Sequence, residues 1–125
     1  LQVSTKKKVG VIATRATVES EAYPHRIKKF DGEAEVFQMA CPLLVPLVEE
    51  GWDDDPITNL IVYRYVSPLV AQGVDSLILG CTHYPYLKKA IQKVTGTGIT
   101  LIDSGEAVTE KLFQDFESGV LKRTH

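Results

Sequence analysis

The sequence predicts an α/β fold: an open parallel sheet of about four strands with helices on both faces. Three observations carry it. Short apolar runs of strand length recur at residues 9–13, 34–40, 74–79 and 99–102. Longer stretches with apolar residues at helical spacing lie between them. That alternation favours parallel strands joined by helical crossovers. No internal repeat or low-complexity segment interrupts it.

Bulk properties exclude several classes. A chain of 125 residues suffices for one domain with a real core. Hydrophobic residues at 44% and charged residues at 24% are ordinary for a globular protein. A net charge of −2 gives no electrostatic reason to expect nucleic acid or an anionic membrane as partner. No apolar run approaches the ~20 residues that span a bilayer, and no signal-peptide pattern opens the chain. Two cysteines do not form a secreted disulfide framework, so reduced thiols in a cytoplasmic protein are expected. Leu1 in place of Met points to a bounded piece of a longer protein.

Residues 1–8 read as a polar, basic lead-in, residues 9–117 as a single α/β domain, and residues 118–125 as a flexible tail. Strand 9–13 ends at Thr14, with Thr17 near the start of the next helix. Hydroxyls at such a turn cap orphan N–H groups. Alternatively they hold a ligand carboxylate together with those groups; capping is preferred for at least one of the two. Pro24 should kink or restart the helical pattern at 18–30, and Asp31-Gly32 signals a turn. Strand 34–40 is closed by Cys41-Pro42, since Pro42 cannot donate to a ladder. An apolar run at 43–48 leads to Glu49-Glu50 before Gly51, which by itself reads as a solvated helix end. Asp55-Pro56 is a strong helix start. The stripe Ile57, Leu60, Ile61, Val66, Leu69 and Val70 should then face the core, with a kink at Pro68 and an end at Gly73. After strand 74–79, Tyr86, Leu87, Ala90, Ile91 and Val94 carry a helix. Strand 99–102 follows. Asp103 with Glu106 then opens a last helix ending near Phe116.

The chemistry converges on Gly80-Cys81-Thr82-His83-Tyr84-Pro85. This is a strand end turning into a helix, with Pro85 suited to the first helical position. Open parallel sheets bind ligands at such turns. A thiol there meets the positive end of the helix dipole, which favours thiolate. A buried core cysteine is the bland alternative, but His83 two positions on is out of place in a simple core. Cys81, His83 and Cys41 could instead ligate a metal, although Cys-x-His lacks the spacing of known zinc sites.

Leu79-Gly80-Cys81-Thr82-His83-Tyr84-Pro85 resembles the second cysteine motif of the glutamate racemase family. The stretches Cys41 to Gly51 and Gly10 to Thr17 resemble two further blocks, in the family's order. Aspartate racemases are similar but carry glutamate where this chain has His83. The resemblance implies one domain of a normally two-domain enzyme that needs neither cofactor nor metal. It implies interconversion of L- and D-glutamate for peptidoglycan synthesis by two cysteines. Cys81 would be one base, Thr82 and His83 would bind substrate, and His83 and Glu49 would tune the site, with Thr14 and Thr17 at the substrate. The family enzyme is about twice this length. Its other cysteine lies in a first half that nothing here matches, so that half is the implied partner, homo-oligomers are possible, and the isolated chain should be inactive. A non-catalytic carboxylate-binding or interaction module and an aspartate racemase-like enzyme are the alternatives.

Overall fold

The structure, a computed structural model, describes residues 8–30 and 32–103. The basic stretch 1–7, Asp31, the residues beyond Asp103 on which the predicted last helix falls, and the predicted tail 118–125 lie outside the described residues. The order is β1 Lys8–Ala13, α1 Arg15–Ser20, α2 Ala22–Phe30, β2 Glu35–Ala40, α3 Leu44–Glu49 and α4 Pro56–Ala71. Then come β3 Ser76–Leu79, a 3-10 turn Tyr84–Leu87, α5 Lys88–Thr95 and β4 Thr100–Asp103. All four strands are parallel, in the order β2-β1-β3-β4.

Alternation along the strands builds two cores. Val9, Val11, Ala13 and Ile78 face one side with Ile27 of α2. Ile12, Leu77 and Leu79 face the other with Val62, Val66 and Leu69 of α4 and Ala90 and Ile91 of α5. Helices therefore cover both faces, as a parallel sheet requires.

Several predicted signals act where they stand. Asp55 caps α4, its carboxylate accepting the Ile57 N–H at 2.8 Å, with Pro56 at the first position. Gly73 closes that helix with φ +84° and its N–H on the Val70 carbonyl. Others shift. Lys8 belongs to β1 and not to the lead-in. The break in the first helical stretch falls at Glu21, φ +58°, ahead of Pro24. A proline is tolerated in a helix's first turn, so the chain restarts early enough to put Pro24 there. Helix α4 continues through Pro68 to Ala71.

The predicted stripe on α4 is the largest correction. Thr58, Val62, Val66 and Leu69 are the buried positions, while Ile57 and Leu60 are exposed. This segment is apolar almost all round, so period alone does not choose a face.

Candidate active site

Strand order reverses between β1 and β3. After β1 the chain turns at Thr14 towards α1 on one face; after β3 it turns at Gly80 towards α5 on the other. The two connections diverge at the carboxyl edge of the sheet, and the general rule for open α/β sheets puts the ligand crevice at such a point. Cys81, Thr82 and His83 follow β3, Thr14 and Thr17 follow β1, and Cys41 and Glu49 come after β2.

Gly80 makes the turn possible. Its N–H donates to the Ile12 carbonyl at 2.8 Å. A Cβ there would lie 2.8 Å from that same oxygen and 3.1 Å from Ala13 Cβ. Gly80→Ala must push the Cys81 turn off β1, so it is expected to cost about 1–3 kcal/mol. An unchanged midpoint in urea denaturation would show that the turn relaxes freely.

Cys81 is half-exposed and its Sγ lies 3.8 Å from His83 Nδ1. The other ring nitrogen, Nε2, lies 3.4 Å from Oε2 of Glu49 at the end of α3. Thiol, imidazole and carboxylate thus form one chain of contacts. A carboxylate on Nε2 favours the tautomer that carries its proton there and leaves Nδ1 as an acceptor facing the sulfur. In that state the imidazole can take the thiol proton and return it.

The helix dipole expected beside the thiol is not there. Cys81 is followed by a 3-10 turn with His83 at its head and Pro85 as its second residue, and α5 begins only at Lys88. A full helix dipole therefore does not start beside the sulfur; the neighbouring imidazole does. Glu49 is more than a solvated helix end, although its side chain remains 62% exposed against 34% for His83.

Thr14 is the N-cap of α1. Its hydroxyl accepts the Thr17 N–H at 3.4 Å and donates to Thr17 Oγ1 at 3.1 Å. Both threonines are engaged in the cap, at the turn after β1. Thr82 is exposed beside Cys81.

Cys41 differs sharply. It is fully buried, its Sγ faces the Met39 carbonyl at 3.5 Å, and burial pushes its pKa up to about 12. Both cysteines are free thiols, and no group of three potential metal ligands gathers among the described residues.

Two tyrosines matter here to which the sequence alone assigns no role, Tyr84 and Tyr23. Tyr84 is fully buried and its hydroxyl donates to the Cys41 carbonyl at 3.5 Å, tying the turn after β3 to the loop after β2. Burial holds its pKa above the usual phenol range. Tyr23 of α2 lies over Gly80, its Cε2 3.3 Å from where a Cβ would stand. A tyrosine inside the motif, where only aliphatic packing is needed, was the available signal for the first.

Fold and site together define a class: an open parallel α/β protein with a thiol–imidazole–carboxylate chain at its switch point. The particular family follows from comparison. The chain belongs to the Asp/Glu/Hydantoin racemase family, whose model matches residues 1–112. It is 47% identical over 112 residues to a glutamate racemase of Sulfurihydrogenibium sp., covering 90% of this chain and 43% of the relative. Its fold superposes on the crystal structure of glutamate racemase from Francisella tularensis in complex with D-glutamate. The TM-score is 0.75 at 38% identity, over 90% of this chain and 42% of the other. A glutamate racemase isoform from Bacillus anthracis gives a TM-score of 0.78 at 35% identity, over 94% and 44% of the two chains. The chain spans less than half the length of these relatives.

Proposed function

We propose that this chain carries one of the two base-bearing faces of a cofactor-independent glutamate racemase, with Cys81 as the base. The contact chain Glu49–His83–Cys81 at the switch point is the observation that carries the reading. As thiolate, Cys81 takes the α-proton from one face of glutamate. A second group on the opposite face then donates a proton to the resulting carbanion, inverting the centre. In the reverse direction Cys81 is the donor. His83 keeps the thiol proton close at hand, and Glu49 holds the imidazole in the receptive tautomer. The N–H and hydroxyl of Thr82, with Thr14 and Thr17 across the crevice, anchor the substrate carboxylates as negative charge develops.

Cys41 cannot be the opposite base. It is fully buried, it has no path to a substrate in the crevice, and its proton is held far above neutral pH. That base must come from outside the described residues, and the greater length of the relatives supports a first-half domain that closes the crevice. The D-glutamate would feed peptidoglycan synthesis in the cytoplasm, where both thiols stay reduced. Among the described residues no helix is long and apolar enough to cross a membrane.

Deuterium exchange tests this. The 125-residue chain alone, in deuterated buffer with D-glutamate, is expected to give no useful racemisation. Adding the first-half domain of a relative should restore incorporation of deuterium at the α-carbon together with inversion, for glutamate and not for aspartate. Robust racemisation by the lone chain would overturn the two-face reading, and turnover of aspartate alone would overturn the substrate.

A further inference from the structure

The loop between β2 and α3 is held from two sides by phenols. Cys41 still belongs to the sheet, its N–H donating to the Ala13 carbonyl at 2.8 Å. Its own carbonyl accepts the Leu44 N–H at 3.2 Å and the Tyr84 hydroxyl at 3.5 Å. Two residues on, the Leu43 N–H donates at 3.4 Å to the hydroxyl of Tyr65, a half-buried residue of α4. Leu43 is the N-cap of α3. In a capping box a side chain three positions on would meet that N–H, but the position is Pro46, and Tyr65 supplies the oxygen instead. Helix α3 has only six residues, too few to be stable by itself. Leu44 in the core and these bonds at its head hold it in place.

We propose that Tyr84 and Tyr65 are positioning residues that set the Glu49–His83 contact and, through it, the reactivity of Cys81; the inference rests on the reading of Cys81 as the base. The connections close a ring. Tyr84 follows His83, and its N–H donates to the Cys81 carbonyl at 3.1 Å, so its backbone is part of the turn that carries the thiol. Its hydroxyl grips the loop that leads into α3. Glu49 ends that helix about 7.5 Å along the axis from Leu44, and its carboxylate returns to His83 at 3.4 Å. Glu49 is too exposed for packing to fix it, so its place is set by the helix it ends. The titratable groups round the sulfur are His83 and Tyr84 on its own turn, Tyr23 of α2, and Glu49 behind the imidazole, with Tyr65 and Cys41 behind Tyr84. A carboxylate held on Nε2 favours the imidazolium that forms when the thiol gives up its proton, and imidazolium favours thiolate. If α3 drifts, that support weakens and the thiol needs a higher pH to react.

Alkylation of Cys81 by iodoacetamide on the 125-residue chain, read by mass spectrometry across a pH series, tests this. Tyr84→Phe keeps the ring in the core and removes only the hydroxyl. It is expected to slow Cys81 at neutral pH by about 2- to 10-fold, the range one net hydrogen bond spans, and to move the midpoint of the pH profile up. Tyr65→Phe should act in the same direction, and it carries the test should Tyr84→Phe misfold, which circular dichroism would reveal. Glu49→Gln should also move the midpoint up. Adding Tyr84→Phe to it should move the profile no further, because both changes act through one contact. A phenol with a structural role alone would lower the midpoint of urea denaturation and leave the pH profile in place. That result, or shifts that simply add, would overturn the proposal and leave the Glu49–His83–Cys81 chain standing. A Glu49→Gln chain that titrates like wild type would instead remove that chain of contacts, and the proposal with it.

Discussion

Cys81→Ser is expected to abolish turnover in both directions once the crevice is closed by a first-half domain. On the proposed mechanism each cycle uses the thiol either to take or to give the α-proton, so its loss removes one whole half of the acid–base chemistry. Serine keeps the shape but not the acidity. A hydroxyl close to the pKa of water cannot share a proton with His83 near neutral pH as a thiol does. The fall in kcat should be roughly 10²- to 10⁴-fold, the range a positioned general base contributes. Substrate binding should change far less, because on the proposed reading the carboxylates are anchored by Thr82, Thr14 and Thr17. Cys41→Ala is the control: it empties space in the core beneath the site but touches no reacting atom, so it should lower stability more than kcat. Equal rates with L- and D-glutamate as substrates, at near wild-type level in Cys81→Ser, would remove Cys81 from the mechanism.

The two thiols should also differ widely towards alkylating reagents. Cys81 is half-exposed with an imidazole nitrogen 3.8 Å from its sulfur. Cys41 has no exposed surface and a pKa pushed up to about 12, so at neutral pH it offers neither access nor thiolate. Iodoacetamide at neutral pH should modify Cys81 at least ~100-fold faster, since thiolate fraction and access multiply. Both should react alike after denaturation. Mass spectrometry of a timed reaction reads the ratio directly. Comparable native rates would mean that Cys41 is reached by frequent opening of the core, or that the turn after β3 does not present Cys81.

Much of this arrangement was legible in the sequence because the signals were local. Strand runs bounded by turns, Asp55-Pro56 at a helix start and Gly73 at its end each act through their immediate neighbours. The Cys81 turn was legible for the same reason. The stripe of α4 was not. Ile57, Leu60, Ile61, Val62, Tyr63, Tyr65 and Val66 surround the helix, so tertiary packing decides which of them reach the core. The 3-10 turn before α5 was also hidden, because Pro85 is compatible with the start of either helix type. Contacts between distant segments carry no local signature. Glu49 meets His83 only because β2 and β3 flank β1 and send their connections to the same face. Composition and spacing show an acidic pair before a glycine, and the order of strands alone turns one of those acids towards the imidazole.

The central position of β1 has a consequence for how the chain folds as it is made. β1 pairs with β2 on one side, but its other edge waits for β3. The Lys8 N–H finds Asp75 across a separation of 67 residues. Until Leu79 has left the ribosome, the first strand keeps an open edge, and Ile12 lacks Leu77 and Leu79 as its core neighbours. Closing so long a loop is slow compared with forming a helix. The nascent chain is thus most vulnerable to misassociation in that interval, through the very strand that later lies deepest in the sheet.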